Sequence, residues 1–306
     1  PDAARPELDL LFRDYVTHLR KQEQDPAFER ARGYWKAKIP TLPLGPDLPV
    51  GTPPSQIEDP RFERHIRTVE ASDWTSLKNR AKQRGLTTTS VLLAAYAEVL
   101  SFWSRSRHFS LNVPQFNRPP IHPEISQVIG EFASFTILEC DLTQEDETFA
   151  DRAARHQQNL WEDLEHAAFS GVRVLREIAL SRPTSGALMP VIFTAAPQDG
   201  AEISLIQAHE SLGRRVFAVN QSSQVYLDNH VSEHQGALVI DWDNIVDLFP
   251  EGMSEAMLDA YVHILRALAR DDSTWARTWR EMNRLVVPQE EAERRSPLVA
   301  APIADC

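Results

Sequence analysis

Cysteine is almost missing from this 306-residue chain, which holds two, Cys140 and Cys306. One lies in an apolar run suited to a strand and the other is the last residue, so no disulfide framework is read and a reducing, cytoplasmic setting is expected. No apolar run approaches the roughly 20 residues needed to cross a bilayer. No charged stretch followed by an apolar one opens the chain, so nothing marks secretion. Positive charge is also short: 32 Lys and Arg stand against 44 Asp and Glu, a net charge of −12. Nucleic-acid-binding domains show the opposite excess, and that class is set aside. G-x-G-x-x-G, a Walker loop and C-x-x-C are absent, and no internal repeat is visible.

What is present is ordinary globular material. Apolar residues make up 42% and charged residues 25%, so a packed core is expected. The length suits one large unit or two lobes. Residues 8–24 carry apolar side chains at 8, 11, 12, 15, 16 and 19, a helical stripe. A second helix is predicted over Pro26–Lys38, with Pro26 suited to its first turn. Residues 40–60 are Pro-rich and aperiodic, an extended surface connection, and 61–70 alternate as a strand. A helix over 73–84 should end at Gly85. The next, VLLAAYAEVLSFW after a threonine N-cap at 87–89, is apolar nearly all round and therefore buried. Further helices are predicted over 147–167, 171–180 and 254–270. Short strands are predicted over 189–195, 223–229 and 235–242, the last two forming a hairpin with residues 230–234 as its turn.

The stretch 108–142 organises the rest. Residues 108–113 alternate as a half-buried strand, which is expected to break at Pro114 and again at Pro119, Pro120 and Pro123, where backbone donors are lost. A short helix-like run, 125–132, leads to a second strand, 135–140. Prolines hold such a loop rigid, and it presents Asn112, Gln115, Asn117 and Arg118 from a fixed scaffold.

Two motif-like spacings carry little. His230-Val231-Ser232-Glu233-His234 has the H-x-x-E-H spacing of one class of zinc peptidase, but that motif works on a helix, and these flanks are strand-like with Gly236 close behind. No metal site is read there. Asp9 and Asp14, five apart on a helix, point away from each other and read as a solvated face.

Several short words taken together resemble the heterocyclization domains of nonribosomal peptide synthetases, a branch of the condensation-domain family. These are LN then FNR (Asn112, Asn117), a P-x-HP step, and the run Val128-Ile129-Gly130-Glu131-Phe132-Ala133-Ser134. FRDYV and ARGYW resemble the stretch after the active-site motif of the family's first lobe. GLT with LLAAYAEVL, then LWEDLEH and SGVRVLREIA, resemble second-lobe helices. MPVIFTA resembles a strand ending Phe-Thr-Ser, and SQVYLDN resembles a Q-V-W-L-D word. Glu131 stands where the family mostly has Asp, Ala133 where it mostly has Thr, and Ala195 where Ser is usual. The HHxxxDG signature of ordinary condensation domains is absent.

The resemblance implies an α/β fold like chloramphenicol acetyltransferase: the second lobe of a condensation domain plus a partial first lobe. Residues 1–70 would be a first-lobe remnant and crossing segment, 71–285 the second lobe, and 286–306 a linker toward a following domain. It implies peptide-bond formation and then cyclodehydration of Cys, Ser or Thr to thiazoline or oxazoline on carrier-bound thioesters. Thr194 and Asp228 would face each other in a central tunnel and serve the cyclodehydration. Asn112, Asn117, Ser134 and Gln224 would bind substrate. A carboxylate withdrawn from water holds its proton to higher pH, which suits a group that both takes and gives a proton. No cofactor is bound directly; phosphopantetheine arms of upstream and downstream peptidyl carrier proteins would deliver substrates. The other implied partners are an adenylation domain and the N-terminal part of the same domain; no nucleic acid or membrane partner is implied. Alone, the chain is expected to be inactive or nearly so, and to self-associate or co-purify with the missing N-terminal piece. The rival reading is a catalytically silent docking scaffold, to which Ala133 and Ala195 lend weight.

Overall fold

The computed structural model describes residues 8–116, 118–182, 189–196 and 217–286. Six strands form one mixed sheet in the order β1-β6-β5-β4-β2-β3: β1 (Phe62–Val69), β2 (His108–Phe116), β3 (Ala133–Asp141), β4 (Val191–Ala196), β5 (Leu227–His234) and β6 (Ala237–Ile245). β6 is antiparallel to both β1 and β5, whereas β4 lies parallel to β5 and to β2. Eight helices are described: α1 (Phe12–Gln22), α2 (Pro26–Lys38), α3 (Ala71–Gln83), α4 (Thr88–Trp103), α5 (Phe149–Glu165), α6 (Gly171–Ser181), α7 (Met253–Arg270) and α8 (Trp279–Val286). This is the α/β architecture expected from the sequence. The expected linker, residues 286–306, lies outside the described residues except for Val286, the last residue of α8.

The chain divides into two compact units. One holds residues 1–42, 113–137 and 161–184, the other 43–112, 138–160 and 185–306. In the second, α4 starts where the Thr87 Oγ1 accepts from the Ser90 N–H at 3.2 Å and is buried over almost its whole length. Tyr96 sits at its centre, its ring 5.8 Å from Phe193, 5.5 Å from Trp242 and 5.8 Å from Tyr261. Phe193, Asn229 and Trp242 therefore mark the helix-covered face of the sheet. On that face the Trp242 indole N–H donates to Asn229 Oδ1 at 2.7 Å, satisfying a polar pair that burial would otherwise penalise.

In the first unit α1 packs Phe12 and Tyr15 against Phe132, with Ile125 and Val128 buried beside them. Arg118 lies over the Phe132 ring and donates to the carbonyls of Ile125 (2.7 Å) and Val128 (3.0 Å). One polar residue of the proline-rich stretch thus staples its own loop. The stretch 125–132 holds a single 3-10 turn, Ile125–Gln127, in place of a longer helical run.

Three expectations are corrected. β2 runs through Pro114 to Phe116 rather than breaking at 114. Its register with β4 falls at Asn112↔Ile192, two residues before the proline, so the missing N–H ends the ladder and not the extended backbone. The strand predicted at 223–229 begins only at Leu227, because Gln224 takes a left-handed φ of +64° and holds the preceding residues out of the sheet. Residues 230–234 are strand, not turn. The hairpin reverses at Gln235 (φ +50°) and Gly236 (φ +81°), two successive left-handed residues that match the twist of the flanking strands.

Candidate active site

Period-2 alternation decides which side chains meet. With Phe193, Asn229 and Trp242 facing the helices, their neighbours in sequence face the other way. Cross-strand register then lines up a row on that opposite face: Asn112, Ile192, Asp228, Asp243 and Arg64, one from each of five strands. One pleat along, a second row runs Thr194, His230, Asp241 and Ile66. All of these residues belong to the second unit.

Three carboxylates share this face, and burial forces each to find partners. Arg64 forks onto Asp243, with Nε donating to Oδ1 at 2.8 Å and Nη2 to Oδ2 at 2.5 Å, while its Nη1 reaches Asp241 Oδ2 at 3.4 Å. Such bidentate geometry is the strong form of the Arg–carboxylate pair. Asp228 is 5% exposed and takes its partner from its own strand: His230 Nε2 lies 2.9 Å from Oδ2. Asn220 Nδ2, a donor, lies 2.7 Å from the same ring nitrogen and 3.5 Å from Asp228 Oδ2. Burial disfavours the imidazolium, but the hydrogen bond to Asp228 and the fields of Asp228 and Asp243 outweigh burial and Arg64 together, so the His230 pKa is raised. Two acceptors in the first row have no hydrogen-bond partner among the described residues, Asp228 Oδ1 and Asn112 Oδ1. A buried acceptor left open in this way costs free energy unless a ligand or water fills it.

Next to this face, at the start of β5, lies a groove of about 700 Å³ walled by Ile57, Pro60, Phe62, Tyr226, Ile245 and Leu248. Phe62 and Ile245 pair across β1 and β6 one pleat from Arg64 and Asp243, so the groove continues the polar rows along the strands. Gln224 lines it from the segment before β5.

The structure therefore brings Asn112, Thr194 and Asp228 to one face. Thr194, half-buried, is directly opposite His230 and one pleat from Asp228. Gln224 is exposed on the groove wall, and Ser134, half-buried in β3, belongs to the first unit. Asn117 lies outside the described residues. Sequence reasoning missed Arg64, Asn220, Asp241 and Asp243, and met His230 only inside the zinc-like spacing. The available signal was the alternation itself: Asp228-x-His230 and Asp241-x-Asp243 are same-face pairs in any strand. Glu233 of that spacing instead accepts from the Trp74 indole (2.7 Å) and Lys78 (2.8 Å). No group of three or more His, Cys, Asp or Glu with metal-holding geometry occurs among the described residues.

The family model settles the class: the chain belongs to the condensation domain family, matched over residues 3–283. Within it, the chain is 38% identical to pyochelin synthetase PchF of Pseudomonas aeruginosa over 268 residues, 88% of this chain and 15% of that protein. It is 35% identical to phenyloxazoline synthase MbtB of Mycobacterium sp. (strain MCS), over 89% of this chain and 23% of the relative. The EpoB cyclization-docking bidomain from Sorangium cellulosum superimposes with a TM-score of 0.81 at 37% identity, covering 90% of this chain and 55% of the other. The chain thus spans only a small part of the synthetases it resembles.

Proposed function

We propose that this chain forms part of a heterocyclization domain, which joins two carrier-bound thioesters by an amide and then closes Cys, Ser or Thr onto that amide to give thiazoline or oxazoline. The observation that carries the reading is the open, buried Oδ1 of Asp228, on the same face as Thr194 and Asn112, in a chain whose relatives include a cyclization domain. A cyclisable amide presents two donors, the side-chain thiol or hydroxyl and the amide N–H. The sheet face offers two unfilled acceptors two strands apart, on the order of 10 Å between Cα atoms. Asp228 takes the proton from the attacking thiol or hydroxyl and returns one to the departing oxygen, with the Thr194 hydroxyl orienting the adduct. Asn112 steadies the amide. Phosphopantetheine arms of the upstream and downstream carrier proteins supply both substrates, and a neighbouring adenylation domain loads one of them.

The test is product mass in the intact parent domain, loaded with both thioesters. Ring formation removes one water from the condensed amide. Asp228→Asn is expected to slow dehydration by about 10²–10⁴-fold, the usual worth of a positioned acid–base group, while amide formation continues. Equal loss of both steps assigns Asp228 a structural role. A wild-type domain that never yields dehydrated product favours the silent docking scaffold.

A further inference from the structure

Cyclodehydration sends two protons to one oxygen. The X–H proton and the amide N–H proton both leave in the water, as the X–C and C=N bonds form and the C–O bond breaks. A single carboxylate carries one proton at a time. We infer that His230 is the proton partner of Asp228 in this step, a positioning residue that acts through Asp228 and does not touch substrate. The inference rests on the ring-forming reading above.

The geometry divides the carboxylate in two. Oδ2 is engaged by His230 Nε2 at 2.9 Å, and Oδ1 is left open. One oxygen can therefore exchange a proton with the imidazole while the other works on the adduct. Charged and polar groups face the ring from every strand packed beside it. Asp228 lies on its own strand, Asp241 directly opposite and Asp243 diagonal on β6, Arg64 beyond them on β1, Thr194 opposite on β4, and Asn220 in the segment before β5. Three carboxylates against one arginine leave an excess of negative charge that favours the imidazolium, in line with the raised His230 pKa. From carboxylate and imidazolium, Asp228 takes the X–H proton and passes it to the adduct oxygen. The imidazolium then protonates Asp228, which gives this second proton as the C–O bond breaks and water leaves. The amide N–H proton, taken by the carboxylate and handed to the imidazole, restores the starting state. Atoms and charge balance without any outside reagent.

Two measurements test this. The first is the ¹⁵N titration of His230 in the chain itself. The imidazole is expected to titrate above 6.5, its ordinary value, and to fall back in Asp228→Asn. An imidazole that titrates at or below 6.5 overturns the pairing, and that result needs no variant to fold. The second is the pH profile of dehydrated over uncyclised product in the intact parent domain. Wild type is expected to lose ring formation as pH rises through the His230 pKa. His230→Gln keeps an amide donor but cannot titrate; it is expected to flatten that profile and lower the ratio at least about tenfold. A His230→Gln profile that follows wild type overturns the role in catalysis. A parent domain that makes amide but no ring at any pH refutes the ring-forming reading, and the ¹⁵N titration separates that outcome from failure of the pair.

Discussion

Glu98 on α4 and Arg152 on α5 meet with no exposed surface on either side chain, Arg152 Nε donating to Glu98 Oε1 at 2.6 Å. Arg152 also donates to the Glu147 carbonyl. Burial pushes the Glu98 carboxyl up to about 7 against the opposing pull of Arg152. Desolvation therefore outweighs the attraction, and such a pair contributes little net stability while intact. Breaking it is another matter. Glu98→Leu should cost about 3–5 kcal/mol, because it leaves a buried guanidinium without its carboxylate. The double variant with Arg152→Met should recover most of that loss. Denaturant midpoints of the three proteins check this; a double variant no more stable than the single one refutes it. In sequence, Glu98 is a lone acid in an apolar helix, legible as an oddity, but Arg152 lies 54 positions away and nothing local links them.

At the scale of elements, the β5–β6 hairpin shows how sequence pattern and geometry divide the work. Strand character was readable on both sides of the hairpin, but with 230–234 read as turn and the last strand ended at 242, the same-face pairs Asp228–His230 and Asp241–Asp243 emerge only from the observed strands. The turn was not readable, because Gln-Gly is a weak signal for two successive left-handed residues compared with Asn-Gly. Gln235→Asn is therefore expected to stabilise the chain by several tenths of a kcal/mol, since Asn tolerates φ +50° better than Gln. A thermal midpoint that falls in this variant refutes that account. Gly171 is a different case. A Cβ built there lies 2.4 Å from the Phe135 carbonyl oxygen, so the glycine that opens α6 is required by a close backbone approach.

At the scale of the whole molecule, buried ionisable groups set the acid limit. His156 is fully buried, and neither ring nitrogen has a hydrogen-bond partner among the described residues. Burial, then the charges of Arg155 and Arg152, outweigh Asp141 and push its pKa down to about 3. Between 6.5 and about 3 the unfolded chain binds a proton there that the folded chain does not, so stability falls as pH falls through that window. Glu98 has the opposite sign: from 4.5 to about 7 the folded chain holds the extra proton, so its contribution is lost as pH rises. Where the windows overlap the two slopes oppose each other. His156→Leu removes one of them. Relative to wild type, it should gain up to about 1.4 kcal/mol per pH unit as pH drops from 6.5 toward 3, the slope of one linked proton. A difference curve flat in pH refutes the assignment.

The sequence by itself determined the helical stripes, the buried α4, the strand periods and, through short words such as VIGEFAS and SQVYLDN, the condensation family to which the chain belongs. These are local or near-local properties: side-chain period, capping and turn residues act within a few positions. Tertiary structure decided the register. Only the pairing of β1 with β6 and β4 with β5 carries Arg64 to Asp243 and sets Thr194 opposite His230, across separations of 179 and 36 positions. A slip of one residue in either ladder would send those side chains to the helix-covered face. The pairing of Asp228 with His230 needs only two same-face positions in one strand, whereas Asp243 and Arg64 beside it and Thr194 opposite His230 are brought there by the register of the sheet.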